Sequence, residues 1–276
     1  MKTKRPFVLR MTCKLAIAFG CAAVMISSPA LAAKCSSTSK GFNQFKRDFA
    51  KEAAASGIGK RGLDALASAK YSKSVIRRDR NQKSFKKGFN AFYKLRTTGL
   101  QQPAKKKMRQ YAKTLRAIEQ KYGVQPEIIV TIWGMESGFG RFLGKDDIVD
   151  ALATLTHDCR RTAFFRPNLM AALKIIDKRL VARSRLRGAT HGEIGQTQFM
   201  AKHYLNYGVD WNRDGRRDLI GTPADVLAST ANYLRGHGWK RGGDYQPGSH
   251  NFNVLKQWNA ATVYQKAIAK FAPTIR

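Results

Sequence analysis

Of the five glutamates in this chain of 276 residues, Glu136 stands where a carboxyl group is hardest to keep ionised. The stretch Pro126-Glu127-Ile128-Ile129-Val130-Thr131-Ile132-Trp133-Gly134-Met135-Glu136-Ser137 predicts a short apolar helix over 126–137. Pro126 suits its first turn, Glu127 its positive end, and Gly138 and Gly140 stop it. Glu136 follows Ile129, Ile132 and Trp133 by seven, four and three positions, which sets it on the face that packs inward. Burial disfavours the charged form, so such an acid keeps its proton near neutrality and can donate it to a leaving oxygen. That is what cleavage of a glycosidic bond requires. Glu52, Glu119 and Glu127 sit in patterns that read as solvated or dipole-related, which leaves Glu193 as the competing carboxylate. The local pattern fits equally well a helix-ending ion pair between Glu136 and a neighbour such as Arg141.

A second constellation is Asp210-Trp211-Asn212-Arg213-Asp214-Gly215-Arg216-Arg217-Asp218. Oxygen-bearing side chains fall at loop positions 1, 3, 5 and 9 with glycine at 6, the spacing by which a tight loop wraps a hard cation such as calcium. Gly221 stands where the closing glutamate would be, and three arginines in the loop oppose a cation. Other metal and nucleotide chemistries find no support. The five histidines form no HExxH motif, and Gly138, Gly140 and Gly144 follow a helix where a dinucleotide fingerprint would follow a strand.

The elements that would position these groups are mostly helical. Phe42, Phe45 and Phe49 recur at helical spacing over 42–56, and Met108, Tyr111, Leu115 and Ile118 do so over 105–121. Gly99 to Pro103 and Tyr122 to Pro126 read as breaks, which places an N-terminal helical region over 33–120 and a second unit over 121–276. Ahead of these, a basic start, the apolar run LAIAFGCAAVMIS and Ala30-Leu31-Ala32 read as a secretory signal peptide over 1–32, cleaved before Ala33, with the product periplasmic. Lys34 before Cys35 disfavours a lipid anchor. The mature chain would carry 46 Lys/Arg against 18 Asp/Glu, a net charge of +28 that calls for a polyanionic partner. An exported protein meets cell-wall polymers before nucleic acid, so no nucleic-acid partner is expected. Cys13 and Cys21 leave with the signal. Cys35 and Cys159 then form either one disulfide or two free thiols.

Taken together, Tyr122-Gly123-Val124, Pro126 to Ile129 and Ile132-Trp133-Gly134-Met135-Glu136-Ser137-Gly138-Phe139-Gly140-Arg141 resemble the lytic murein transglycosylase B family. The resemblance extends to Asp79-Arg80-Asn81-Gln82 with Phe85, Asp150 to Leu155, Gly195-Gln196-Thr197-Gln198-Phe199-Met200, Ala231-Asn232-Tyr233-Leu234 with Gly238-Trp239, and Trp258-Asn259. It implies a mainly α, lysozyme-like catalytic domain that cleaves the MurNAc-GlcNAc bond of peptidoglycan and leaves 1,6-anhydromuramoyl ends. Glu136 would be the sole acid/base, with no cofactor in the chemistry. Ser137, Gln196, Gln198, Phe199, Tyr233, Trp258 and Asn259 would line the sugar groove, and Arg160 and Arg161 would meet stem-peptide carboxylates. The closing acid of the calcium loop would be Asp225, joining Asp210, Asn212, Asp214 and Asp218, with Thr222-Pro223 starting the helix that carries it. Envelope assemblies are compatible partners.

One segment departs from that family. Where it commonly has Ser-Trp-Ala-Gly, this chain has Ala189-Thr190-His191-Gly192 and then Glu193, and Trp258-Asn259 is followed by Ala260-Ala261. A muramidase using water, with Glu193 as second carboxylate, is therefore one rival reading. A non-catalytic cell-wall-binding protein is the other.

Overall fold

The computed structural model describes residues 33–81 and 88–276. The expected signal peptide with its cleavage site, and Gln82 and Phe85 of the family pattern, lie outside the described residues. Helices dominate: α1 (Phe42–Ala55), α2 (Lys60–Ala67), α3 (Lys73–Arg80), α4 (Phe89–Thr97), α5 (Gln101–Gln110), α6 (Ala112–Tyr122), α7 (Pro126–Ser137), α8 (Ile148–His157), α9 (Thr162–Asp177), α10 (Ala201–Tyr207), α11 (Pro223–Gly236), α12 (His250–Trp258) and α13 (Thr262–Phe271). The mainly α expectation holds, and residues 33–276 belong to one compact unit.

The acid-bearing helix forms where the local signals place it. Pro126 occupies the first turn, and the chain leaves the helix through Gly138 at φ 58°, a left-handed conformation that glycine adopts without strain. Apolar side chains surround α7 on nearly every side, so it is a core helix and its position is set by packing. Glu127 is in the first turn as expected. It is not solvated, however: it is buried, accepting hydrogen bonds from Tyr245 and from Arg276 at the chain end.

The periodic stretch 105–121 is not one helix. It breaks at Tyr111 (φ −108°, ψ 19°) into α5 and α6. The bend lets α5 pack on α7 while α6 reaches α11, and the Tyr111 ring fills the corner edge-on to Trp133 at 5.7 Å. Helical spacing survives across such a kink, so the sequence pattern conceals it.

A small antiparallel sheet interrupts the helices, with β1 (Asp146–Asp147), β2 (Arg187–Gly188), β3 (Glu193–Ile194) and β4 (Phe199–Met200) in sequence order. Glu193 pairs with Met200 and Ile194 with Phe199. Gly188 is required here, since a Cβ would lie 1.9 Å from the Glu193 carbonyl oxygen. Cys35 and Cys159 are disulfide-bonded with Cα atoms 5.1 Å apart, which resolves the cysteine alternatives in favour of the bridge. No helix among the described residues is long and apolar enough to cross a membrane.

Candidate active site

The last turn of α7 delivers Glu136 to a groove of about 610 Å³. The carboxyl is half-buried, and Oε1 accepts hydrogen bonds from Trp258 Nε1 (2.9 Å) and the Tyr264 hydroxyl (2.6 Å). Among the described residues Oε2 has no hydrogen-bond donor, so one oxygen is fixed and the other is available to a ligand. Burial pushes the Glu136 pKa up; the Tyr264 and Trp258 hydrogen bonds and the Arg96 charge pull it back, and the Glu193 charge adds to the rise. Tyr264 is itself held well above its ordinary value by burial and by Glu136, so it remains the donor of the pair. The alternative pairing with Arg141 does not occur: that guanidinium lies over the Phe142 ring.

Arg161, Gln198, Phe199, Tyr233, Trp258 and Asn259 line the same groove. Gln198 takes a left-handed conformation (φ 53°) in the turn between β3 and β4, and its amide nitrogen donates to the Gly195 carbonyl at 2.8 Å. Phe199, Tyr233 and Trp258 meet edge to face with centroids 5.1 to 5.8 Å apart, forming an aromatic wall. His203 lies against it, its pKa lowered to about 4 chiefly by burial, so the ring is neutral.

Three sequence-predicted residues are not brought to the groove. Ser137 is buried, donating to the Gln196 carbonyl and accepting the Gly140 amide, so it ties the end of α7 to the glutamine turn. Gln196 is also buried; its side chain accepts from Trp133 and donates to the Ile220 carbonyl. Arg160 is half-exposed and engages the buried Asp79 together with Arg161. Both arginines therefore already have a carboxylate partner, which a substrate carboxylate would have to share. Tyr264 and Arg96 line the groove and were not legible in the sequence. Neither sits in a distinctive motif, and each reaches Glu136 from a remote helix.

Asp210, Asn212, Asp214 and Asp218 lie on the loop between α10 and α11, and Asp225 in the first turn of α11, all outside the groove. Asp210 accepts the Asp214 and Gly215 amides, and Asp225 accepts those of Trp211, Asn212 and Asp218. Asp218 turns to the Ile220 and Gly221 amides and to Arg185. The donor atoms are the hard oxygens a calcium ion takes. Among the described residues, however, no three His, Cys, Asp or Glu side chains converge as a metal-binding group.

Residues 41–248 match the family model for the transglycosylase SLT domain. The chain belongs to this family. The chain is 41% identical over 134 residues to the membrane-bound lytic murein transglycosylase B of Escherichia coli; the match spans 48% of this chain and 37% of that relative. Its fold is similar to SltB3 of Pseudomonas aeruginosa, solved in complex with NAG-anhNAM-pentapeptide, with TM-score 0.77 and 28% identity over 86% of this chain and 80% of that one. It is also similar to the Escherichia coli lytic transglycosylase Slt35 solved in complex with calcium, with TM-score 0.75 and 26% identity over 88% and 96% of the two chains. The lytic transglycosylase family and lysozyme-like fold expected from the motifs are thus borne out.

Proposed function

We propose that this protein is a peptidoglycan lytic transglycosylase that cleaves the β-1,4 bond between MurNAc and GlcNAc, with Glu136 as its acid and base. The observation that carries the reading is the half-buried Glu136 carboxyl, raised in pKa and fixed through one oxygen by Tyr264 and Trp258, with its other oxygen available in the groove. Glu136 donates its proton to the glycosidic oxygen as the C1–O bond breaks. The resulting carboxylate then takes the proton of the muramoyl 6-hydroxyl as that oxygen bonds to C1, closing the anhydro ring. Departure of the proton leaves Glu136 hydrogen-bonded by Tyr264 and Trp258, which stabilises the charge that burial opposes. Gln198, Asn259 and the aromatic wall hold the sugars, and Arg161 meets the stem peptide.

The solved relatives bound to a muramoyl peptide and to calcium support two finer assignments. The partner is the peptidoglycan glycan strand, reached in the periplasm after removal of residues 1–32. Residues 33–120 brace the catalytic unit 121–276 and lend it Arg96. The 210–225 loop takes a structural calcium through Asp210, Asn212, Asp214, Asp218 and Asp225, as its oxygen donors allow. Calorimetry showing neither heat nor thermal stabilisation up to millimolar calcium would dismiss that last assignment. The reaction is tested by mass spectrometry of fragments released from purified peptidoglycan by the mature protein and by Glu136→Gln. Anhydromuramoyl ends that vanish in the variant are expected, whereas equal release by both proteins would reject Glu136 as the acid, and release by neither would favour a binding protein.

A further inference from the structure

A second cavity, of about 690 Å³, opens between the first turns of α1 and the 68–71 link that joins α2 to α3. It shares no lining residue with the groove. Lys46, Arg47 and Lys70 line it, and among the described residues no Asp or Glu does. Lys46 is fixed: its ammonium donates to the Ala67 and Ala69 carbonyls at 2.7 and 2.9 Å, which leaves one N–H for a ligand. Burial lowers the Lys46 pKa against the Asp150 charge, but Asp150 is already engaged by the Lys70 amide and by Arg183. That ammonium is therefore short of counter-charge, which an anion in the cavity would supply. Arg47 and Lys70 are exposed beside it, and among the described residues the Lys70 ammonium has no hydrogen-bond or ion-pair partner.

Asn43, Gln44 and Tyr71 add neutral donors and acceptors to the same cavity. A concave site of this kind suits a short peptide that carries several carboxylates. Insertion into a lipid surface needs exposed apolar side chains, and the large ones among the described residues, Leu95, Phe142 and Phe164, all lie outside the cavity. The end of α8 links the cavity to the groove. His157 meets the cavity residues Phe42 and Tyr71 edge-on, and Arg161, four residues later, lines the groove.

Resting on the lytic reading above, we propose that this cavity is an accessory murein site, which takes the carboxylates of a stem peptide outside the groove and holds the enzyme on the wall between cuts. Lys46, Arg47 and Lys70 meet the carboxylates, and Asn43, Gln44 and Tyr71 meet the peptide groups between them. No bond is made or broken there. Loss of the site therefore weakens the hold on polymeric wall and leaves cleavage of a short strand unchanged.

The test compares the double variant Arg47→Gln, Lys70→Gln with Lys106→Gln, Arg109→Gln, which removes the same charge from exposed residues of α5 that line neither cavity. Lys46 stays in place because it also ties α1 to the end of α2. Retention on purified sacculi is measured with Glu136→Gln added, and cleavage with Glu136 intact. The Arg47, Lys70 variant should bind intact sacculi at least about threefold more weakly than the α5 variant. Its kcat/KM on sacculi should fall in step, while a soluble NAG-NAM oligosaccharide bearing stem peptides is cleaved as by the wild type. On sacculi stripped of stem peptides by an amidase, the two double variants should bind alike. Equal retention of the two on intact sacculi would leave overall charge as the cause, and a difference that persists on stripped sacculi would assign the cavity to the glycan. A difference seen on phosphatidylglycerol vesicles but not on intact sacculi would assign it to lipid headgroups. Each of these three results overturns the proposal. No cleavage of either substrate by the wild type would instead overturn the lytic reading, whatever the retention shows.

Discussion

On the proposed function, the state of one proton on Glu136 bears on both chemistry and stability. Removing it by Glu136→Gln should cost about 10²- to 10⁴-fold in the rate of product release, the usual contribution of a general acid, with the fold intact. Burial raises this carboxyl above its unfolded value of about 4.5, so the folded state prefers the neutral form. Wild type and Glu136→Gln should then melt alike at low pH, and the variant should gain on the wild type as pH rises from the unfolded pKa through the folded one. A melting difference independent of pH would contradict that burial cost. Tyr264→Phe deletes a hydrogen bond that favours the carboxylate, so the alkaline limb of kcat/KM, where the acid loses its proton, should move to higher pH.

Between elements, Asp79 near the end of α3 is a joint between α3, the α8–α9 link and the 189–193 segment. It is buried and engages Arg160 and Arg161 from the link between α8 and α9, together with His191 ahead of β3. Asp79→Ala removes the carboxylate that Arg160, Arg161 and His191 share and should cost about 3 kcal/mol, near the low end for a broken buried ion pair because the guanidiniums stay half-exposed. Chemical denaturation measures that loss. If the Asp79 contacts also orient the groove wall, KM should rise more than kcat falls. Ser137 plays the matching part at the end of α7, where its hydroxyl bridges the Gln196 carbonyl and the Gly140 amide. Ser137→Ala removes the partner of the buried Gln196 carbonyl and of the part-buried Gly140 amide and should cost about 1–3 kcal/mol.

At the scale of the whole molecule, the Cys35–Cys159 bridge closes a separation of 124 residues. Restricting an unfolded loop of that length stabilises the fold by about 5 kcal/mol in the chain-entropy view, so the Cys35→Ser, Cys159→Ser double variant should unfold at markedly lower denaturant. Net charge acts at the same scale without touching the fold. The full chain carries +33, and such an excess steers it to polyanions through a field that salt screens. Retention on purified cell-wall sacculi should therefore weaken as salt rises from about 0.01 M to about 1 M, over which the screening length shrinks from about 30 to about 3 Å. Retention indifferent to salt would assign binding to the groove instead.

Sequence alone determined the acid helix, its two ends and the inward face of Glu136, because proline, glycine and helical spacing act within a few residues. The same short-range logic placed α1 and the start of α11, and the ordered motifs identified the family. Tertiary structure decided what surrounds the acid. Trp258 and Tyr264 reach Glu136 across 122 and 128 residues, separations that no local periodicity encodes. It also decided that Ser137 and Gln196 hold the groove from behind, that Arg160 and Arg161 share Asp79, and that the 105–121 pattern bends at Tyr111. Residue type limits what chemistry a side chain can do, but its partners come from packing, which joins distant parts of the chain through burial and hydrogen bonding.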